Sequence, residues 1–366
     1  MRKLAVFLVL CVGTAFASVY GQYYVNETDS VSYIYVNEID SVFVSEIDSI
    51  SDIYIDEPDS IFPVYSGKFI TSIEAVFRVN PNIRPFQFTT DGVERENLFR
   101  AMRNHTQGIA YSNGLFYITR CRPASRNHQQ LVIVDKAQGR TVNQVTLDSD
   151  YVHPGGIQIY NNILAVPFET AGKNAKLSFF SLENPLEPEL VGYYLFADNP
   201  SAKCLAITSF EDKYLVAVYE RRRGYFTFFH FDKSFNKVAK QEWSAVNQNR
   251  ENWHPFQEWQ DAPSQKRYEN MHFVQVRADS LSRPSYYLLM FHNNPDAIDV
   301  FSVSEPDLIS LLDIQMVARI MLVQPRRGGF RMGGGMRIIG AESIEVFSTE
   351  RHFNRTSTIN FYSTQQ

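Results

Sequence analysis

Three histidines, an arginine and several carboxamides recur at like places along this 366-residue chain. His105 and Gln107 open one repeat, His153 and Gln158 the next, Asn270 and His272 a later one, and Arg331 the last. Neutral imidazole nitrogens suit a metal ion, and an arginine fork suits an anionic ligand. The same residue types also serve structure, because His and Gln at the start of a strand can hydrogen-bond the neighbouring backbone and close a ring. A metal site at His105, His153 and His272 is weakly specified, since no second carboxylate ligand falls in register. Glu169 is the nearest acid by motif, and it reads as the cap of a strand turn. The chain carries no Gly-x-Ser-x-Gly elbow, no His-Glu-x-x-His and no phosphate-cradling Walker loop. The residues therefore predict a ligand-binding rim, no resident cofactor and no recognisable catalytic constellation.

The elements that must position these groups are strands. From Phe69 onward, short runs of Val, Ile, Tyr and Phe alternate with turn signals such as Asn113-Gly114, Asn161-Asn162 and Glu211-Asp212. One unit reads Gln107 to Ala110, Leu115 to Ile118 and Leu131 to Asp135; the next reads Gly156 to Ile159, Ile163 to Val166 and Leu177 to Phe180. A third runs from Leu205 to Phe229, and two more start at His272 and Met336. Helical periodicity is nearly absent, and only Pro306 to Met321 reads as either a short helix or a strand. Three- or four-stranded units at this spacing predict an all-β β-propeller over residues 68–366. Six blades fit best, with five or seven the alternatives. Residues 68–95 are expected to close the ring against the C-terminal strand at Thr358 to Tyr362.

Several of these residues carry a resemblance. Leu131-Val132-Ile133-Val134-Asp135 resembles the LVIVD signature of secreted and surface propeller repeats. His105-x-Gln107-Gly108, His153-Pro154-Gly155-Gly156-Ile157-Gln158 and Gly329-Phe330-x-x-Gly333-Gly334-Gly335, in that order, are similar to a group of secreted propeller-like proteins. The resemblance spans roughly residues 100 to 355. It implies architecture and compartment and no particular reaction.

Outside the repeats, Arg2 and Lys3 precede the apolar run Leu4 to Val12 and the small-x-small site Ala15-Phe16-Ala17. This is the layout of a secretory signal peptide over residues 1–17, with cleavage after Gly21 the alternative. The run is shorter than the roughly 20 residues a membrane span needs, so a secreted, extracellular protein without a transmembrane segment is expected. Residues 22–67 hold ten acidic residues and no Lys or Arg, with four Glu-x-Asp-Ser copies at Glu27, Glu38, Glu46 and Glu57. The net charge of −5 therefore divides into an acidic arm and a slightly basic body. The arm reads as a flexible or strand-prone segment suited to self-association, to weak Ca²⁺ binding or to no more than a solvated linker.

Cys121 and Cys204 are a disulfide candidate in an oxidising compartment; the bond would close a loop of about 80 residues and contribute roughly 4 kcal/mol. Two buried free thiols are the alternative. Asn26, Asn104 and Asn354 lie in glycosylation sequons. Arg221, Arg222 and Arg223 in one turn, and Arg326 and Arg327 with Arg331 and Arg337, are polyanion-binding candidates or ordinary solvated turns. An RNA partner is not expected of a secreted chain. Taken together, the residues favour a non-enzymatic extracellular binding or matrix protein that presents its rim to a glycan, polyanion or protein. The alternative is a hydrolase or lactonase-like enzyme with a metal or polar site in the propeller channel.

Overall fold

The computed structural model describes residues 8–12, 15–19, 69–90, 105–121, 130–169, 174–196, 201–220, 225–235, 237–241, 268–277, 283–292, 296–304 and 313–364. The chain divides into two units, Met1–Phe62 and Pro63–Gln366. In the first, the described backbone is an antiparallel hairpin of β1 (Leu8–Val12) and β2 (Ala15–Val19). The acidic arm at 22–67, Asn26, Asn104, Arg221 to Arg223 and the tryptophan-bearing stretch from Trp243 to Trp259 lie outside the described residues.

The second unit begins with a one-turn helix, α1 (Glu74–Phe77), and β3 (Arg84–Thr89). Four-stranded antiparallel sheets then follow in sequence order. The first is β4 (His105–Ser112), β5 (Leu115–Cys121), β6 (Leu131–Asp135) and β7 (Arg140–Val145). In the second, the inner strand is broken into β8 (His153–Pro154) and β9 (Gln158–Tyr160), followed by β10 (Ile163–Glu169), β11 (Lys176–Ser181) and β12 (Glu189–Leu195). The third is β13 (Cys204–Phe210), β14 (Lys213–Glu220), β15 (Tyr225–Phe231) and β16 (Lys237–Gln241). The fourth is β17 (Tyr268–Val276), β18 (Ser285–His292), β19 (Ala297–Ser304) and β20 (Asp313–Met321). The fifth is β21 (Gly329–Gly340), β22 (Ser343–Thr349) and β23 (Thr356–Ser363), and β3 supplies its outer strand.

This is a β-propeller. Inner strands β4, β9, β13, β17 and β21 each touch the next, and β21 touches β4, so the ring closes. Among the described residues the blades number five, one of the counts the sequence left open rather than the six it favoured. As the sequence predicts, the described residues of the first stretch, 69–90, meet the C-terminal strand. Their strand β3 pairs with β23, Gln87 opposite Thr358, and so locks the two ends of the ring together. The segment from Pro306 to Met321 resolves as strand over Asp313–Met321.

Apolar side chains fill the spaces between successive blades. Leu131, Ile133, Leu164 and Phe168 pack between the first two, and Phe179, Val216, Phe228 and Met271 across the second to fourth. Both faces of each sheet are thus buried, which is why the inner and middle strands read as continuous apolar runs instead of alternating ones. The tight hairpins are made by left-handed residues at Asn113 and Gly114 (φ 47° and 78°) and at Asn161 and Asn162 (φ 48° and 58°), a pair that matches the strand twist.

The cysteines correct one expectation. Cys121 ends β5 in the first blade and Cys204 opens β13 in the third; both are buried and no disulfide joins them. Burial pushes the Cys204 thiol well above its ordinary pKa, so it is inert as a nucleophile. Among the described residues, no helix is long and apolar enough to cross a membrane.

Candidate functional site

The five inner strands run in the same sense, so their leading ends meet around one mouth of the ring. Below that mouth the axis is filled by main chain. A Cβ on Gly108 would lie 2.8 Å from the Gly155 carbonyl oxygen, and one on Gly156 would meet the Glu269 carbonyl and come within 2.6 Å of Asn270 Oδ1. One on Gly155 would strike the Lys203 carbonyl, and one on Gly335 that of Ile109. Only glycine permits backbones to approach this closely. Side chains with chemistry must therefore stand above this floor.

Irregularities in the inner strands put them there. In β4 the register passes from Thr106 to Gly108, which leaves Gln107 as an extra, bulged residue. In β17 it passes from Tyr268 to Asn270, bulging Glu269. In β21 it jumps from Gly329 to Gly334, looping out residues 330–333 with Arg331 among them. The second blade breaks its inner strand instead, so that His153 stands apart on β8, opposite Glu169. Bulges re-aim side chains and gather beside functional sites.

At the centre lies a buried polar triad. Lys203 Nζ is 2.7 Å from Glu269 Oε2 and donates a 3.0 Å hydrogen bond to Gln107 Oε1, and all three residues are buried. Lys203 is held by its backbone: its N–H donates to Tyr219 O at 2.9 Å, and its carbonyl accepts the Gly156 N–H at 3.1 Å. Glu269 follows Tyr268, whose hydroxyl donates to the buried Asp299 at 2.7 Å, while Arg319 clamps that carboxylate at 2.5 and 2.6 Å. Gln107 Nε2 and both amide atoms of Asn270 are buried without hydrogen-bond partners.

Beside the triad stand two imidazoles. His105 and His153 meet edge to face with ring centroids 5.8 Å apart, and His153 Nδ1 lies 3.5 Å from Glu169 Oε1. Burial, helped by the charges of Lys203, Arg351, His352 and Arg331, lowers the His105 pKa to about 4. His105 is therefore a neutral imidazole near pH 7. Thr106 ties the following turn to the site, since its N–H donates to Arg351 O at 2.9 Å and its hydroxyl to Glu350 O at 2.5 Å.

The structure thus brings together His105, Gln107 and His153 from the sequence reading, with Arg331 close enough for its charge to act on His105. It corrects others. Gln158 is a staple between blades: its Oε1 accepts the Ile207 and Phe273 N–H groups at 2.9 and 3.0 Å, and its Nε2 donates to Phe273 O at 3.1 Å. With that capacity spent between blades, Gln158 is no rim ligand. His272 is buried against Phe291, and burial lowers its pKa to about 3. His105, His153 and His272 form no metal centre, because among the described residues no three His, Cys, Asp or Glu side chains group to hold an ion. Arg326 and Arg327 are exposed in the turn before β21, but Arg337 leaves that cluster to pair with Glu345 at 2.7 Å and lie over the Tyr111 ring. Asn354 is exposed, and its Nδ2 donates to Glu350 at 3.0 Å. Sequence reasoning missed Lys203 and Glu269 altogether. The one signal for Lys203 was a charged residue set directly before the apolar run Cys204 to Ile207.

No family model matches the chain, and no curated protein matches it. Solved structures do. The chain is similar to the Bombyx mori GH32 β-fructofuranosidase BmSUC1, at 11% identity and a TM-score of 0.43, covering 78% of this chain and 63% of that one. It is similar to a GH43 endo-arabinanase from Bacillus licheniformis, at 11% identity and a TM-score of 0.39, covering 69% and 91%. A thermostable family-43 glycoside hydrolase gives 8% identity and a TM-score of 0.41, covering 75% and 91%. This chain therefore spans less than two thirds of the Bombyx mori enzyme's length. These similar structures are named as hydrolases, against the expectation of a non-enzymatic binding or matrix protein and in line with its hydrolase alternative; at these identities the likeness itself shows the fold alone. The mouth of the ring also holds the Lys203–Glu269 pair, which the sequence reading did not find.

Proposed function

We propose that this chain is a secreted hydrolase of the ester or lactone class, working through polar side chains at the mouth of the ring. The observation that carries the reading is the His153–Glu169 pair standing beside the buried Lys203–Glu269–Gln107 triad. A carboxylate beside Nδ1 can orient an imidazole so that its other nitrogen takes a proton, the logic of nucleophile-activating dyads. The 3.5 Å separation is loose, as such contacts often are before substrate binds.

In this scheme His153 takes a proton from water as the water oxygen bonds to the acyl carbon. The carbonyl π pair moves onto oxygen, and the oxyanion is stabilised by the Lys203 ammonium. When the tetrahedral adduct collapses, the C–O bond to the alcohol breaks. The proton on His153 passes to the leaving oxygen, giving a carboxylic acid and an alcohol. Lys203 can serve because Glu269 and Gln107 hold its ammonium in a water-poor place, where such charges act more strongly. Neutral His105 adds a hydrogen-bonding wall and no further positive charge beside His153.

The electrostatics favour acyl over glycosyl transfer. Glycoside cleavage builds positive charge and uses two carboxylates around the scissile bond. Here Lys203, Arg351, His352 and Arg331 all bear on His105, and Glu169 and Glu269 each face a basic partner.

The test is an assay of the purified full chain against 4-nitrophenyl esters, five- and six-membered lactones and 4-nitrophenyl glycosides. Ester or lactone turnover is expected, with His153→Asn lowering kcat by about 10²- to 10⁴-fold. Turnover of glycosides alone, or an unaffected His153→Asn, would overturn it.

A further inference from the structure

We infer that Arg331 is a specificity residue that binds a carboxylate on the substrate, so that the preferred substrates are anionic acyl compounds. This rests on the hydrolase reading for its location but not for its test.

The argument starts from the loop that carries the side chain. Residues 330–333 are extruded from β21 with no partner on β22, at the cost of ladder hydrogen bonds in an inner strand. The loop is not slack. Gly328 and Gly329 turn the chain through left-handed conformations, with φ of 85° and 140°, where a side chain would be strained. Phe330 is buried against Phe291 and Tyr362, with ring centroids 5.2 and 5.8 Å away, and Met332 is buried too. Behind the turn lies Asp296, a buried carboxylate. An added Cβ on Gly329 would come within 2.9 Å of its Oδ2, so nothing but glycine fits against it. The loop is therefore pinned on both sides of position 331, and Arg331 is its one exposed residue from Phe330 to Gly333.

Packing explains Phe330, Met332 and the glycines. It does not explain an arginine. Arg331 makes no ion pair with any carboxylate among the described residues, and Glu269, the carboxylate of the central triad, is taken by Lys203. Its loop leaves β21 where that inner strand packs against β4, the strand that carries His105, and its charge helps lower the His105 pKa. Arg351, two residues beyond β22 and joined to β4 by the hydrogen bond its carbonyl accepts from the Thr106 N–H, has a buried Nε without a partner, so a second cationic side chain stands beside β4. A rigidly mounted guanidinium with its fork unused is matched by a planar oxyanion, and a carboxylate accepts it bidentately. Below it, the unpartnered Gln107 Nε2 is a buried donor, available to a ligand's carbonyl or hydroxyl.

The experiment compares an anionic with a neutral substrate of the same reactive end, 4-nitrophenyl hemiglutarate and 4-nitrophenyl butyrate, in the wild type, Arg331→Gln and, as an exposed control, Arg78→Gln. A charge-assisted contact predicts that Arg331→Gln lowers the anionic-to-neutral ratio of kcat/KM by about 10- to 100-fold, mostly through KM. Arg78→Gln should leave the ratio where it is. Arg331→Lys, which keeps charge without the fork, should fall between, and it replaces the glutamine variant if that one does not fold. In parallel, glutarate and its uncharged diamide are titrated calorimetrically into each protein. Glutarate binding that weakens in Arg331→Gln upholds the inference even if no ester is turned over, in which case only the hydrolase reading falls. A ratio unchanged by Arg331→Gln, or glutarate and its diamide binding alike, overturns the inference.

Discussion

Replacing Lys203 by methionine isolates what the central ion pair does. Lys203 and Glu269 are 4% and 6% exposed, and their charged atoms are 2.7 Å apart. Removing one partner of a buried pair leaves the other as an uncompensated charge, which costs about 3–5 kcal/mol. Methionine fills most of the lysine volume, so the loss is electrostatic and not a cavity. Glu269→Gln should cost less, because the ammonium keeps the 3.0 Å bond to Gln107 Oε1 and gains a neutral acceptor. The double variant Lys203→Met with Glu269→Gln removes both charges and should recover most of the loss, since neutral replacement of a buried pair is often harmless or stabilising. Urea unfolding of the four proteins at pH 7 closes a double-mutant cycle with an expected coupling of about 2–3 kcal/mol. Function should part from stability here, because the double variant folds but lacks the ammonium that stabilises the oxyanion. A Lys203→Met protein within about 1 kcal/mol of wild type would refute the reasoning, because the pair would then behave as a solvated one.

Two further predictions concern the packing beneath the site. His272 has a folded pKa of about 3 against 6.5 when unfolded, so the unfolded chain binds a proton that the folded chain refuses. Its contribution to stability is complete above pH 6.5 and shrinks as pH falls, by about 2.7 kcal/mol at pH 4.5; His272→Leu should flatten the pH dependence by that amount in urea titrations at pH 7 and 4.5, and parallel slopes would count against it. Gly156→Ala should lose about 3 kcal/mol or fail to fold, because its methyl would meet the Glu269 carbonyl, Asn270 Oδ1 and Cys204 at once. Gly139→Ala, with its nearest neighbour 3.8 Å away and only a φ of 60° to oppose it, should lose about 1 kcal/mol. The reverse order of melting temperatures would contradict the packed axis.

The blades were legible because propeller strands are buried on both faces and bounded by tight turns. Leu131 to Asp135, Asn113-Gly114 and Leu177 to Phe180 are strand, turn and strand in the structure as in the sequence. The closing pair was legible too, since β3 meets β23 as expected although nearly the whole chain separates them, whereas the blade number was not. Half of the site was legible: His105 and His153 stand where the repeat alignment put them. The repeat alignment offers Asn270 and His272 as the fourth blade's contribution, yet the carboxylate comes from Glu269, one residue before Asn270. A single bulge between Tyr268 and Asn270 makes that difference, and in a strand a shift of one residue exchanges the faces. Gln158 was misread for the opposite reason, since a carboxamide that staples three blades has the same sequence signature as one that waits for a ligand.

The floor and the bulges are two sides of one constraint. Five inner strands crowd the axis until backbone touches backbone, as the glycines at 108, 155, 156 and 335 require. At that level the ring has no room for a functional side chain. Chemistry can be mounted only at the leading ends, and a regular strand there would keep alternating its side chains between the two neighbouring blades. A bulge breaks the alternation and turns one residue toward the mouth without moving the ladder below it. That is how Gln107, Glu269 and Arg331 come to face a common space from three blades, while the broken strand of the second blade does the same for His153. The motifs Gln107-Gly108, Gly155-Gly156 and Gly333-Gly334-Gly335 then need no ligand to explain their glycines. The ring closes on them, and the residues just ahead of the glycines are the ones the proposed reaction draws on.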